Sequence, residues 1–422
     1  MSCYVVFYST LESVPVALKS FASQTTKVAA LITDSQSREG TIRHSTVANE
    51  RYYRPELDVL RLIAFLLVFC THRMDLAPID PAKYPWRFNL SLIGIFGVPV
   101  FFLLSAFLIT ELLMREHEQL GKIHLKAFYL RRILRIWPLY FLVFFGLTVL
   151  THFVYGMGTK NHSAWLAFTL FAGNWYICLK GWLAYPVNPL WSISVEEQFY
   201  IVMPLIALFT RRRGLMLVSW ALLVVTPLIN LHYGLHPTTG FSSQWTNSFV
   251  QFQFFAAGTL LSLYLKRRIP EWHLAVRFVG VAVAISCWLI AYLQFGVQAD
   301  NPRATVPGAL IGWPLVLLGT ILLFLSLLGT PAKYLPNPLV YLGRISYGLY
   351  LIHAAILYLI FHSGRSWLQQ LSAALHVSRW NDGFGTIIVL GMTILLASLS
   401  YRFFERPFLN LKKRFTFIPS RD

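Results

Sequence analysis

Charge is scarce in this chain of 422 residues. Asp, Glu, Lys and Arg together make up 13%, against 56% hydrophobic and 16% aromatic residues. With a mean hydropathy of +0.56, that balance excludes a soluble globular domain. Cysteine is also scarce. Cys3, Cys70, Cys178 and Cys287 are widely scattered, two of them inside apolar runs. They spell neither a metal site nor a disulfide framework, and read as small apolar residues or idle thiols. A basic start followed by a long apolar core and a small-residue cleavage site is lacking too, so no secretory signal is read. No internal repeat links the halves.

What remains is apolar sequence in membrane-length pieces. Ten segments of that kind run roughly over 56–72, 91–114, 134–154, 195–210, 214–232, 247–265, 275–295, 307–328, 344–362 and 384–404. The expectation is an all-α, polytopic integral membrane protein. Lys and Arg number 36 against 18 Asp and Glu, and their placement sets the topology. With the amino terminus inside, the inside loops and tail hold 20 Lys and Arg (among them Arg131, Arg211, Lys266, Arg344 and Lys412) and the outside loops 8. That asymmetry predicts both termini in the cytoplasm, and it accounts for the net charge of +18 without nucleic acid. The reading divides the chain into an amino-terminal cytoplasmic segment over 1–50, a transmembrane domain over 51–410 and a basic tail over 411–422. The surroundings are membrane lipid, with the protein placed as a multi-pass component of the cytoplasmic (inner) membrane.

The longest connection, about 155–194, lies outside and carries Trp165, Trp175, Tyr176, Trp182, Tyr185 and Trp191. An interfacial aromatic belt is the favoured reading. The alternative is a platform on which sugar rings stack.

The first apolar segment, Arg54 to Arg73, contains Arg61 and, after ten intervening residues, His72. Eleven positions along a helix advance ~16 Å and turn through ~1100°, so both side chains share nearly one face. Asp58 lies on the same stripe. Such a face belongs in a protein interior rather than in lipid. An imidazole can remove a proton near neutral pH, whereas Arg keeps its own. The pair therefore suits anion binding at one depth and proton removal at another. Arg132 and Arg135, one turn apart beside Arg131, read either as inside charges or as a phosphate clamp. Glu196 and Glu197 open the fourth segment; a carboxylate beside His72 would orient the ring, as in a catalytic triad. His353, nine residues past Arg344, falls near mid-membrane, as a buried structural group or a cavity liner.

In order along the chain these segments resemble membrane-bound acyltransferase family 3. Tyr53-Arg54-Pro55-Glu56-Leu57-Asp58-Val59-Leu60-Arg61 followed by His72 is similar to the family's YRPEIDGLR and R-x10-H pattern. Phe101 to Thr110 resembles FFxLSGFLIT, Arg131 to Tyr140 RRxxRIxPLY, Trp191 to Tyr200 WSLSVEEQFY, Ser346 to His353 SYxxYLxH, and Glu405-Arg406-Pro407 a closing ExP. Val59 and Ala106 stand where the family often has Gly; neither change removes a reactive group. The resemblance covers roughly 52 to 410. It implies an acyltransferase that moves an acyl group, often acetyl, from cytoplasmic acyl-CoA to a hydroxyl of a carbohydrate, glycolipid or glycoside, such as lipopolysaccharide or exopolysaccharide. It implies His72 as the essential catalytic residue with Arg61 as its partner, and donor contacts at Arg132 and Arg135, with Arg131 beside them. Glu196 joins the catalytic candidates; Asp58, Ser105, Ser346, Tyr347 and His353 join as cavity residues. No metal is called for. A proton-coupled exporter of a small glycoside or sugar precursor is the rival reading, since intramembrane Asp, Arg and His suit that chemistry as well.

Overall fold

A computed structural model describes residues 53–183, 185–237, 243–266, 268–299, 304–378 and 381–418. The segment 1–50 lies outside the described residues, as do Arg267, Arg303, Arg379 and Arg421 among the loop charges. Helix α1 spans Pro55–Leu76. It is followed by α2, Pro85–Leu120, and α3, Leu125–Leu150. The aromatic connection folds into two short helices, α4 at His162–Thr169 and α5 at Gly173–Lys180. Then come α6, Trp191–Leu235, α7, Ser248–Leu265, α8, Leu274–Leu293, and α9, Gly308–Leu327. Short α10, Asn337–Arg344, leads into α11, Ser346–Ser363. Short α12, Arg365–Ala374, precedes α13, Asn381–Lys413. Among the described residues there is no strand.

By length and composition, eight of these helices can cross a membrane. Two facts raise the count of crossings to the expected ten. Helix α6 breaks at Arg211, whose φ of 54° and ψ of −150° are not helical. Its 45 residues are ~67 Å of helix, about two bilayer cores. Helix α1 is not among the eight because Glu56, Asp58, Arg61, Arg73 and Asp75 interrupt it, yet its 22 residues are long enough.

One end of the bundle gathers the charge. Arg212 Nη2, at the α6 break, donates to the Leu263 carbonyl at the end of α7 (3.0 Å). Arg277, at the start of α8, is buried and donates to the carbonyls of Ser326, Leu328 and Gly329 at and just past the end of α9. The Gly329 amide in turn reaches Glu56 Oε1 at the start of α1 (3.2 Å). The tail is held there as well: Arg131 Nη1 donates to the Phe415 carbonyl (2.7 Å), and the Phe417 ring lies 4.3 Å from that of His124. The described chain thus begins and finishes at this basic end, which requires an even number of crossings.

Helix α1 is central. It packs on α2, α10 and α11, while α7 packs between α2 and α6, and α8 pairs with α9. Two glycines permit the closest approaches. A Cβ on Gly97 would sit 2.4 Å from the Ala64 carbonyl oxygen, and one on Gly343 1.8 Å from that of Asp58. The first brings α2, and Val98 with it, against the middle of α1; the second presses α10 on the turn that carries Asp58. Gly97→Ala should therefore force α2 off α1 and cost about 1–3 kcal/mol, the usual range for overpacking. Thermal unfolding in detergent would show it as a lowered Tm; an unchanged Tm would mean that the α1–α2 contact has slack.

Candidate active site

The site is built from α1, α2, α3, α6 and α11. An inner cavity of about 90 Å³ is lined by Arg61, Ser105, Arg132, Arg135, Glu196 and Ser346, with Val98, Tyr200, Tyr347 and Tyr350 completing its wall. An outer cavity of about 60 Å³, toward the aromatic connection, is lined by His72, Trp182, Trp191, Trp245, Val98 and Tyr350. Val98 and Tyr350 line both, so these two side chains form the partition. Arg61 and His72 share a helix face, as the spacing predicts, but look into different compartments.

His72 Nδ1 lies 2.8 Å from Nε2 of His353, with the rings nearly parallel at 10°. His353 is fully buried, and Phe65 packs edge-on against it. Its Nδ1 is 2.6 Å from the Tyr350 carbonyl. A carbonyl only accepts, so that Nδ1 carries the hydrogen. A neutral imidazole has one N–H, which makes His353 Nε2 an acceptor and His72 Nδ1 its donor. The proton order follows along the chain, and His72 Nε2 is left as the unprotonated, basic nitrogen. In a carboxylate–histidine pair the partner fixes the tautomer in the same way.

Glu196 does not take that part. It accepts from Ser105 Oγ and Tyr200 OH in the inner cavity, where Ser105 and Tyr200 also bond each other at 2.7 Å. The expectation of Glu196 beside His72 is corrected: among the described residues a second imidazole, His353, lies at hydrogen-bond distance from the ring. Glu197 points elsewhere, accepting from the indole of Trp137 at 3.1 Å. Tyr347, whose ring lines the inner cavity, donates to the Ile136 carbonyl (2.7 Å) and so holds α11 to α3.

The cations divide into paired and unpaired. Arg61 donates to Asp58 at 2.8 Å, and Tyr53 OH donates to the same carboxylate at 3.1 Å. Arg131 bonds Glu116 at 3.0 Å. Arg132 and Arg135 have no ion pair or hydrogen bond among the described residues. The Arg132 guanidinium rests over the rings of Phe128 and Tyr200, 5.5 and 5.4 Å from their centroids. Both arginines line the inner cavity and also a third cavity, of about 50 Å³, at the basic end beside Arg131, Lys412 and Thr416. One helical turn apart and without a salt bridge among the described residues, the two cations share the cavity wall with the Glu196 carboxylate and offer an anion a fork of donors.

Tyr350, Trp182 and Trp245 belong to the site without having been singled out for it. Tyr350 was visible only as a motif letter, Trp182 only as one interfacial aromatic among several, and Trp245 carried no signal. Of the aromatic connection, Trp165 is exposed, as an interfacial ring should be, whereas Trp191 is buried in the outer cavity wall.

The fold and site together define an integral membrane protein with a partitioned intramembrane cavity. Residues 54–402 match the family described as an acyltransferase domain, and the chain belongs to this family, acyltransferase family 3. It is 25% identical over 394 residues to a Listeria monocytogenes protein named peptidoglycan O-acetyltransferase OatA, covering 86% of this chain and 57% of that one. It is 26% identical over 386 residues to the O-acetyltransferase OatA of Staphylococcus aureus strain NCTC 8325, covering 87% and 59%. A protein of Staphylococcus aureus strain MSSA476, provisionally named an O-acetyltransferase, is 27% identical over 379 residues, covering 84% and 57%. The chain thus spans less than three fifths of the length of these relatives. No solved structure gives a significant match.

The two classes of arginine should respond oppositely to substitution. Arg131→Ala strands Glu116 Oε2 and the Phe415 carbonyl and should cost about 1–3 kcal/mol. Arg132→Met removes a half-buried cation that makes no salt bridge among the described residues, together with its ring contacts. These oppose each other, so stability should move by less than about 1 kcal/mol. Thermal unfolding of both variants in detergent checks the contrast; equal losses would contradict it.

Proposed function

We propose that this protein is a membrane O-acyltransferase, with acetyl as the group moved, that takes it from acyl-CoA at the cytoplasmic face and passes it to a hydroxyl of a carbohydrate or glycoside acceptor on the outer side. The observation that carries the proposal is the pairing of compartments: unpaired Arg132 and Arg135 in one, His72 in the other, and a partition of two side chains between them. The names of the relatives, O-acetyltransferases, support the same reaction class.

The donor's phosphates are held at the basic end by Arg132 and Arg135, with Lys412 nearby. Its acyl arm enters the inner cavity, past the Ser105–Glu196–Tyr200 cluster, and places the thioester at Val98 and Tyr350. Arg61, held by Asp58, contributes positive charge to that cavity. The acceptor hydroxyl enters the outer cavity. His72 Nε2 takes its proton as the oxygen attacks the thioester carbon. The carbon–sulfur bond breaks, an ester bond forms, and CoA leaves as its thiolate toward the basic end. His353 is a positioning residue that keeps His72 in the basic tautomer. The basic end is cytoplasmic in this account, consistent with the distribution of loop charges, and the membrane is the inner one.

His72→Ala should lower transfer of labelled acetyl from acetyl-CoA to a sugar acceptor in proteoliposomes by at least about 10²-fold, with the protein still inserted; full activity would overturn the base role. The relay has its own test. His353→Gln keeps an acceptor oxygen for His72 and should retain more turnover than His353→Leu; equal turnover would remove His353 from the mechanism. Arg132→Ala and Arg135→Ala should raise the donor KM about tenfold or more, as expected for loss of a charge-assisted hydrogen bond, and leave the acceptor KM in place. An unchanged donor KM would return them to topology.

A further inference from the structure

Besides His72, the outer cavity is lined by the polar side chains of Thr71, Asn188, Tyr350 and Trp182. Trp182 follows α5, in the connection to α6, and its indole Nε1 is buried with no hydrogen-bond partner among the described residues. An indole nitrogen only donates, and a buried donor left unpaired is costly, so this N–H calls for an oxygen supplied from outside the chain. Its placement is enforced. Asn188 grips the main chain of the next residue with both ends of its amide: the Leu183 amide donates to Oδ1 at 2.8 Å, and Nδ2 donates to the Leu183 carbonyl at 3.1 Å. Asn188 lines the same cavity. Trp191 and Trp245, 4% and 3% exposed, offer buried apolar ring surface in the wall. Trp182 lines the outer cavity and not the inner one, which separates it from the compartment of the donor.

We infer that the Trp182 indole N–H is a binding group for the acceptor: it donates to an oxygen of a pyranoside whose hydroxyl lies at His72 and whose carbon-bearing face rests on the indoles of Trp191 and Trp245. This rests on the acyl-transfer reading above. It makes the acceptor a polyhydroxylated ring with an oxygen to spare, rather than a plain alcohol with one.

The test is steady-state transfer from labelled acetyl-CoA to methyl β-D-glucopyranoside and to cyclohexylmethanol, a hydroxyl of similar size without other oxygens. Trp182→Phe keeps a ring and deletes the N–H. It should raise the KM for the glucoside about fivefold or more, as loss of one hydrogen bond does, with kcat, donor KM and Tm unchanged and cyclohexylmethanol unaffected. Asn188→Ala, which frees the Leu183 main chain, should raise the same KM. An unchanged glucoside KM in Trp182→Phe overturns the inference while leaving the transferase reading intact. A fall in kcat at constant KM overturns it in favour of a donor to the developing oxyanion. Absence of transfer by the unmodified protein to either acceptor overturns the transferase reading and this inference with it.

Discussion

The contact between His72 and His353 sets the terms for the rest of the structure. It joins α1 to α11 in the outer half of the bundle at 2.8 Å, and the Tyr350 carbonyl behind it gives the two rings a definite order of protons. Gly97 lets α2 reach the α1 backbone, which puts Val98 beside the histidine pair. Tyr350, one turn before His353, closes the partition from the other side. The same Tyr350 hydroxyl lies 2.7 Å from Ser192 Oγ at the start of α6. Three helices thus share one short run of hydrogen bonds with α2 packed beside it, and the line between the two cavities falls where they meet.

The cost of burying charge explains which cations do what. In an apolar interior a guanidinium needs a counter-ion, a set of carbonyls or a ligand. Arg61 has Asp58, Arg131 has Glu116, and Arg277 has a ring of main-chain oxygens. Arg131 and Arg277 tie segments of the basic end together, and Arg61 is held by Asp58 at the cavity wall. Arg132 and Arg135 make no salt bridge or hydrogen bond among the described residues, and they stand where two cavities meet. Adjacent arginines in one motif, Arg131 and Arg132, therefore have different work, a difference that pairing reveals and spacing does not.

Much of the fold was legible in the sequence because membrane spans announce themselves by length and apolarity. Ten segments matched the helices to within a few residues at most boundaries, and the loop charges anticipated a chain that returns to its starting end. The longest departures are the start of α3 and the end of α13, each nine residues beyond its apolar segment, followed by α2, six residues longer at both ends. Spacing on α1 placed Arg61 and His72 on one face, since helix geometry alone decides that. The partner of His72 was hidden, because His353 is 281 positions away along the chain and only the packing of α1 on α11 brings it near. Glu196 was misplaced for the complementary reason: its motif advertises a carboxylate, but helix rotation turns it toward Ser105 and Tyr200. Trp182 was visible as an aromatic residue in an outer loop, and nothing in the string distinguished it from the exposed Trp165.

The central claim is that donor and acceptor enter from opposite ends and meet at the partition. Sidedness tests it most directly. In proteoliposomes of defined orientation, labelled acetyl-CoA would be supplied only at the basic end and a membrane-impermeant sugar acceptor only at the aromatic end, and acylated sugar would be followed with time. The account predicts product in that arrangement and none when the two substrates are exchanged or confined together at the aromatic end. Product formed with both substrates held at the aromatic end would contradict it.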